Sequence, residues 1–349
     1  MTSLTKVAIV TRRVIRYSIY LIIFGIILRI VIGMGIGVYK KLFPPPPPAP
    51  TVAFGKLPKL EFPENKDLPQ ITYSIETAEG DFPKLKDQAK VYYMPKISSS
   101  LLALDSAKRK AAGIGFTSEP EQISDSVYRF SNPSSPQKLD MNIITGIFSL
   151  SYDLATDPSP LSVKPPTPEI AASQVRSYLS SGGFLAKDLT GEVNHEFLKT
   201  ELQNLVPALS LSEANLIRIS LFRKSFDEIP TVTSDPIKGN IWFLVSGGTI
   251  REKQIIAGEY HYFPVDETQF STYPLKTSQI AYEALKSGKT YIANLGQNKD
   301  GKVTIRRIYL GYFDGDTPSQ FMQPVVVFEG DRSFKAYVPA VTDAYINSQ

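Results

Sequence analysis

The apolar positions near the N-terminus form one nearly unbroken run from Tyr17 to Tyr39. At 1.5 Å per residue, a helix of this length covers roughly 34 Å, which is enough to cross a hydrocarbon core of about 30 Å. The pattern therefore predicts one transmembrane helix at residues 17–39 that contacts the lipid bilayer. The rest of the chain, residues 40–349, is then expected to lie on one side of the membrane.

The charges that flank this run predict its orientation. Basic residues precede the run at Lys6, Arg12, Arg13 and Arg16, and only Lys40 and Lys41 follow it. The positive-inside rule then keeps residues 1–16 as a cytoplasmic tail and places the body outside the cell membrane. A cleaved signal peptide is the alternative, but its apolar region usually has only about 7–15 residues. We therefore favour an uncleaved signal-anchor.

Arg29 is the one charged residue inside the run. An arginine at the centre of a membrane helix costs about 2.5–3.5 kcal/mol on translocon scales. One interpretation is a contact with a partner helix inside the bilayer. The other is that Arg29 extends toward a headgroup while the surrounding Ile and Leu residues outweigh its cost.

Prolines dominate the segment after the helix, with Pro44 to Pro48 in a row and further prolines at 50, 58 and 63. Such a composition favours extended polyproline structure at about 3.1 Å per residue. Residues 40–66 are therefore predicted to be a spacer that makes no regular contacts with the body.

The body alternates single helical patterns with runs of strand patterns, which predicts an α+β fold with helices packed on antiparallel sheet. Five prolines between Asp157 and Pro168 mark a boundary, so we expect a first module at 67–156 and a second at 168–345. The predicted helices are 98–113, 168–179, 193–205 and 278–286. The predicted strands are 71–75, 90–94, 127–130, 139–144, 147–152, 216–222, 241–245, 255–263, 291–295, 303–313, 325–328 and 334–338.

Charge and cysteine content narrow the class of protein. The chain has 38 basic and 34 acidic residues, but residues 1–55 contain seven of the basic ones and no acid. The body is thus near neutral and lacks the concentrated basic face that nucleic acids require. There is no cysteine, which excludes disulfides, Cys-bound zinc, iron–sulfur clusters and a thiol nucleophile. This absence fits an exported bacterial protein.

No motif in the chain predicts a catalytic, cofactor or metal site. Asp314-Gly315-Asp316 lacks the later Glu of a calcium loop, so we interpret it as a solvated hairpin turn. The two histidines, His195 and His261, have no motif around them. A ligand or partner surface lined by Tyr260, Tyr262 and Tyr312 is the remaining candidate. Ordinary packing of aromatics in strands is its alternative.

The C-terminal half resembles a known family. Phe226-Asp227-Glu228-Ile229-Pro230 precedes a sheet, and a helix carrying Ala281, Ala284 and Leu285 comes before Val303 to Phe313 and Gln323 to Phe328. This order, over roughly residues 215–340, resembles the extracytoplasmic YycH/YycI-type regulators of Gram-positive bacteria, whose units are PepSY-like. The resemblance implies one N-terminal membrane helix, α+β modules outside the cell, no catalytic residues and regulation of an envelope sensor protein.

These observations predict a non-enzymatic cell-envelope protein that binds or regulates another envelope protein without nucleic acid or a cofactor. An envelope enzyme, or a module that binds peptide or glycan, is the alternative. A concave pocket with paired carboxylates would favour the alternative, whereas flat sheet faces and an exposed edge strand would favour partner binding.

Overall fold

A computed structural model of the chain describes residues 2–42, 48–65, 68–202 and 204–347. It divides into two compact units, residues 1–49 and 50–349. The first unit contains helix α1, Thr2–Leu42. Its segment Val7–Tyr39, with a mean hydropathy of 2.6, is the one described helix long and apolar enough to cross a membrane. The predicted span lies inside α1, but the helix begins at Thr2, so most of the predicted tail is also helical.

The second unit, the body, is mixed α+β, as predicted. Its helices are α2 (Ala103–Gly113), α3 (Pro168–Ser181), α4 (Arg251–Gln254) and α5 (Ser278–Lys286). Short 3₁₀ turns occur at Ser159–Ser162, Asp331–Ser333 and Asp343–Tyr345. Proline at the first position of α3 and the Thr277 hydroxyl that caps α5 fix the starts of these helices.

The largest sheet has nine strands, all antiparallel, which come from residues 121–260. Its spatial order is β3-β4-β5-β6-β12-β11-β9-β7-β8. The strands are β3 (Glu121–Gln122), β4 (Val127–Ser131), β5 (Gln137–Asn142), β6 (Phe148–Tyr152), β7 (Val193–Glu201), β8 (Asn204–Pro207), β9 (Leu216–Leu221), β11 (Ile241–Val245) and β12 (Ile255–Tyr260). Helices α2 and α3 cover one face of this sheet and bury a core around Phe148, Val175 and Phe243.

Two further sheets contain the remaining strands. A six-stranded sheet has the order β1-β15-β17-β18-β14, with β10 also pairing with β15, and a three-stranded sheet has the order β13-β2-β16. Strands β1 and β10 run parallel to β15, and all other pairs are antiparallel. The strands are β1 (Thr72–Ile75), β2 (Gln88–Tyr93), β10 (Thr231–Thr233), β13 (Asp266–Pro274), β14 (Tyr291–Asn294), β15 (Lys302–Asp314), β16 (Phe321–Met322), β17 (Pro324–Gly330) and β18 (Phe334–Pro339). Helix α5 packs on this second core, which includes Tyr312 and Phe328.

The body is not divided at the predicted boundary. Strand β6 of the predicted first module pairs with β12 of the second. Strand β1 likewise pairs with β15, and β2 pairs with β13 and β16. Helix-on-sheet layers do form. Residues 103–260 supply helices α2 and α3 and all strands of the nine-stranded sheet. The segments before and after them, together with β10, form the other layer. The proline-rich segment places Pro160 and Leu161 near the other face of the nine-stranded sheet, where Leu161 packs on a small apolar cluster. Burial of this apolar face explains why the segment does not separate two modules.

Two other predictions are wrong. The described residues of the predicted helix 193–205 form strand β7 and the start of β8 instead, because pairing with β9 outweighs the local helix pattern. Most of the described part of the predicted spacer is folded onto the body. Of the proline run, residues 44–47 lie outside the described residues, as do residues 66 and 67.

We call residues 50–65 the strap. The Val52 amide donates to the Thr272 carbonyl at 3.1 Å, and Leu57 is fully buried and bridges to Ile346. Further along, the ring of Phe62 stacks on Tyr291 with centroids 5.4 Å apart. The strap thus covers apolar surface on the second core, which offsets the entropy lost by ordering it.

Candidate functional site

The three predicted surface tyrosines do not form one surface. Tyr260 lies in the core under α2 and α3, and its hydroxyl donates to the Phe184 carbonyl at 2.6 Å. Tyr312 lies in the other core, fully buried, and donates to the Lys90 carbonyl at 2.9 Å. Burial raises the pKa of both phenols. Their rings and hydroxyls are satisfied inside the fold, so the ordinary packing interpretation is correct for both.

Tyr262 marks a different feature, a buried cluster of charges that the sequence analysis missed. The guanidinium of Arg223 lies 4.2 Å from the centre of the Tyr262 ring, and the Tyr262 hydroxyl donates to Asp188 at 2.9 Å. Arg223 pairs with Asp188 at 2.5 Å and with Asp314 at 3.0 Å, and it also donates to the Phe263 carbonyl. We call Asp188, Arg223 and Asp314 the ionic junction.

The ionic junction connects the two layers of the body. Arg223 follows β9 of the nine-stranded sheet, Asp188 follows α3, and Asp314 ends β15 of the six-stranded sheet. The exposed fractions of the three side chains are 1%, 11% and 7%, respectively. The sequence context of Asp314 predicted a solvated turn. The side chain is instead buried, so that prediction is wrong for Asp314. No local pattern signals this role, because the three residues come from distant segments.

Burial and charge act in opposite directions within the ionic junction. Burial raises the pKa of the Asp314 carboxyl, and the nearby Arg223 only partly offsets this. For Arg223, burial alone lowers the pKa, but Asp314 and Asp188 outweigh it and raise the pKa. One oxygen of Asp314, Oδ1, is buried without a hydrogen-bond partner among the described residues. The enclosed geometry leaves no access for a substrate, so we interpret the junction as structural.

A second polar cluster contains a serine next to a lysine. The Lys253 ammonium lies 2.7 Å from the Ser159 hydroxyl and 2.8 Å from Asp157. Asp157 also accepts from the Tyr152 hydroxyl at 2.6 Å and from the Ser159 amide at 3.0 Å. The hydrogen bond from Lys253 is the largest cause that lowers the pKa of Asp157. The Lys253 ammonium is thus paired with a carboxylate as well as with the serine. We interpret the cluster as a structural link between helix α4 and the segment that contains Asp157 and Ser159.

The other titratable candidates are separated from each other. His195 is exposed on β7 with its ring near Phe197, whereas the ring of His261 lies 3.3 Å from the Asp316 carbonyl. Over the described parts of the chain, no group of three or more His, Asp or Glu side chains is placed to hold a metal ion.

Strongly exposed leucines lie at the β7–β8 hairpin and just after β8. Leu202 and Leu209 are 97% and 94% exposed, and Leu205 between them is 44% exposed. We call these three residues the leucine hairpin. The same hairpin carries the Lys199–Glu201 ion pair at 2.7 Å. Apolar patches with a polar border are typical of interaction sites.

A partner could contact the side chains of this hairpin more readily than its backbone. Strand β8 is the last of its sheet, and the Ala208 amide donates to Phe197 of β7. In an antiparallel pair, every second residue directs its backbone N–H and C=O away from the partner strand. In β8 these residues are Leu205 and Pro207, whose backbone groups face the open edge. Pro207 has no N–H to donate, which limits the addition of a further strand.

Arg29 lies on α1 with its side chain exposed, as do the apolar residues around it. In the described part of α1 beyond Arg16, it is the one charged side chain before Lys40. The structure thus retains the sequence-predicted position of this charge within an apolar helix.

Comparison with known proteins names no family. No protein-family model matches the chain, and no curated protein matches it. Among solved structures, an uncharacterized protein from Eubacterium rectale ATCC 33656 matches with 13% identity and a TM-score of 0.32. That match covers 74% of this chain and 84% of the other. The function must therefore be inferred from the geometry of the chain itself.

Proposed function

We propose that this chain is a single-pass, membrane-anchored protein of the bacterial cell envelope whose body binds another envelope protein. Helix α1 is the anchor, with its N-terminus in the cytoplasm and the body outside. Protein binding is also what the resemblance of residues 215–340 to YycH/YycI-type, PepSY-like regulators implies. The length and apolarity of α1 support the anchor.

The leucine hairpin is the observation that carries the binding function. Leu202 and Leu209 are almost fully exposed, so contact with an apolar pocket would remove their side chains from water and stabilise a complex. The body nearby is neither strongly basic nor enclosed, so a protein surface is a better match than a nucleic acid or a small molecule. The alternative surface at Tyr260, Tyr262 and Tyr312 has no open groove, because Tyr260 and Tyr312 are buried in different cores.

Photo-crosslinking from the hairpin in intact cells tests this function. A crosslinker at position 209 of the full-length protein should capture one discrete partner. The double variant Leu202→Ser/Leu209→Ser should reduce recovery of that partner at least about tenfold, the equivalent of about 1.4 kcal/mol. Its melting temperature should not change, since both side chains are almost fully exposed.

A matched control is available elsewhere on the body. Leu101 and Leu102 are also exposed, at 104% and 64%, and precede α2. Leu101→Ser/Leu102→Ser should leave the partner's recovery unchanged. Equal recovery from the hairpin variant and the parent protein would reject the leucine hairpin as the binding surface.

A further inference from the structure

The charge of Arg29 has no counter-ion within its own helix. No acidic residue occurs before Glu61 in the sequence, so nothing in α1 can neutralise it. At 1.5 Å per residue, Arg29 is roughly 18 Å along the axis from Tyr17 and roughly 15 Å from Tyr39. It therefore lies near the middle of a hydrocarbon core of about 30 Å, where an unpaired charge is most costly.

The smallest residues near Arg29 share its face of the helix. Gly25 and Gly33 are four residues before and after it, which places each about 40° around the axis from Arg29. A Cβ atom added at either glycine would meet no atom within 4 Å. The opposite face presents Ile27, Val31 and Met34, whose side chains are 53%, 58% and 67% exposed. One turn before and one turn after Arg29, the two glycines therefore let a second helix backbone approach closely on the Arg29 face.

We propose that this face, Gly25, Arg29 and Gly33, binds a transmembrane helix of a different protein that carries an Asp or Glu at the same depth. Charge complementarity selects this partner. A second copy of α1 packed on the same face would bring two arginines together and supply no acid. Close approach between the glycines shortens the distance between the opposite charges, where no water screens them.

This inference deepens the proposed function, because it names a partner class for the anchor and rests on the membrane placement of α1. It does not depend on the leucine hairpin. The two surfaces can thus be tested separately, since variants of the hairpin should not change binding at Arg29.

The test uses a defined probe helix. The full-length protein is placed in lipid vesicles with a designed leucine-rich transmembrane peptide that has one central Glu. Because the chain has no cysteine, a single Ser3→Cys substitution gives one site for a fluorescent donor. Energy transfer to a labelled peptide should show association with the Glu peptide at least about tenfold tighter than with Gln or Leu peptides. Equal association with all three peptides would overturn the proposal.

Variants of the helix test the face as well as the charge. Arg29→Leu should reduce association with the Glu peptide at least about tenfold. Arg29→Leu/Ile27→Arg keeps an arginine at nearly the same depth on a face that has no glycine one turn before or after it, and it should bind as weakly as Arg29→Leu. Binding of this variant at the parent level would reject the glycine face. Self-association of the parent through Arg29, abolished by Arg29→Leu, would reject a different protein as the partner.

Carbonate extraction of the vesicles distinguishes failure of this inference from failure of the proposed function. If the parent protein is retained in the bilayer but does not prefer the Glu peptide, the Arg29 surface is wrong and the anchor remains. If the parent protein is extracted, α1 is not an anchor, and both the inference and the membrane placement are rejected.

Discussion

At the scale of single residues, the most consequential side chain of the body is Arg223. It is the one cation in the ionic junction, and it faces two carboxylates from different layers. Buried ion pairs are weak evidence for net stabilisation, but removing one partner leaves uncompensated charge in a medium of low dielectric constant. Replacement of Arg223 should therefore be far more damaging than replacement of an arginine at the surface.

We expect Arg223→Met to lower the free energy of unfolding by about 3–5 kcal/mol, because Asp188 and Asp314 lose their counter-ion. Denaturant unfolding of the full-length protein in detergent measures this change. Arg307→Met is the control: Arg307 pairs with Glu329 at 3.2 Å and is 71% exposed, so its loss should cost less than about 1 kcal/mol. Similar losses in the two variants would contradict the structural role of the ionic junction.

The raised pKa of Asp314 makes stability depend on pH. A carboxyl whose folded pKa exceeds its unfolded value, about 3.9, binds its proton more tightly when folded. Its contribution to stability is complete below the unfolded pKa and is lost as the pH rises through the folded pKa. Asp314→Asn should remove this dependence, so the variant should gain stability relative to the parent as the pH rises from about 4. Parallel stability profiles of parent and variant would show that Asp314 does not titrate in this way.

At the scale of elements, the strap is the clearest departure from sequence-based expectation. Its prolines favour an extended chain, and an extended chain is also what a sheet edge or a core surface can bind. Backbone hydrogen bonds at Val52 and Leu57 and the burial of Leu57 fix residues 50–65 on the second core. Residues 50–65, which come after α1 in the chain, are thus part of the body's structure.

We expect Leu57→Ala to lower the free energy of unfolding by about 2–5 kcal/mol, because it removes a fully buried side chain and leaves a cavity. It should also increase hydrogen exchange at the Val52 and Leu57 amides. Leu101→Ala, the same change at a fully exposed leucine, should alter stability by less than about 0.5 kcal/mol. If Leu57→Ala has as little effect as Leu101→Ala, the strap does not contribute to the core.

At the scale of the whole molecule, the body is one unit whose three sheets pair strands from distant parts of the chain. Most of residues 103–260 form the nine-stranded layer, and the segments before and after them meet in the other layer. The strap lies on that second layer. The segments before residue 103 and after residue 260 must therefore come together before the second layer is complete.

Labelling from outside the cell tests the proposed orientation of the molecule. The sequence lacks cysteine, so a cysteine at Leu101, which is 104% exposed, provides one thiol on the body. A maleimide that cannot cross membranes should label Leu101→Cys in intact spheroplasts. The same reagent should label Ser3→Cys only after the membrane is opened. The reverse pattern would contradict a cytoplasmic N-terminus.

The sequence by itself determined the features that depend on local pattern. The apolar run predicted a membrane-length helix, and β-branched and aromatic content predicted strands such as Ile241–Val245. The predicted helices at 168–179 and 278–286 correspond to α3 and α5. The α+β class followed from the order of these elements. Each signal lies within one element, where residue spacing and backbone preference are enough.

Only the tertiary structure decided which strands pair, where the body divides and which polar residues are buried. The pairing of β6 with β12, the ionic junction and the strap all join residues far apart in the chain. The described residues of the predicted helix 193–205 form strands because an adjacent strand, β9, supplies hydrogen bonds that no helix pattern reveals. Long-range pairing and burial set these outcomes, and a single sequence carries no local record of either.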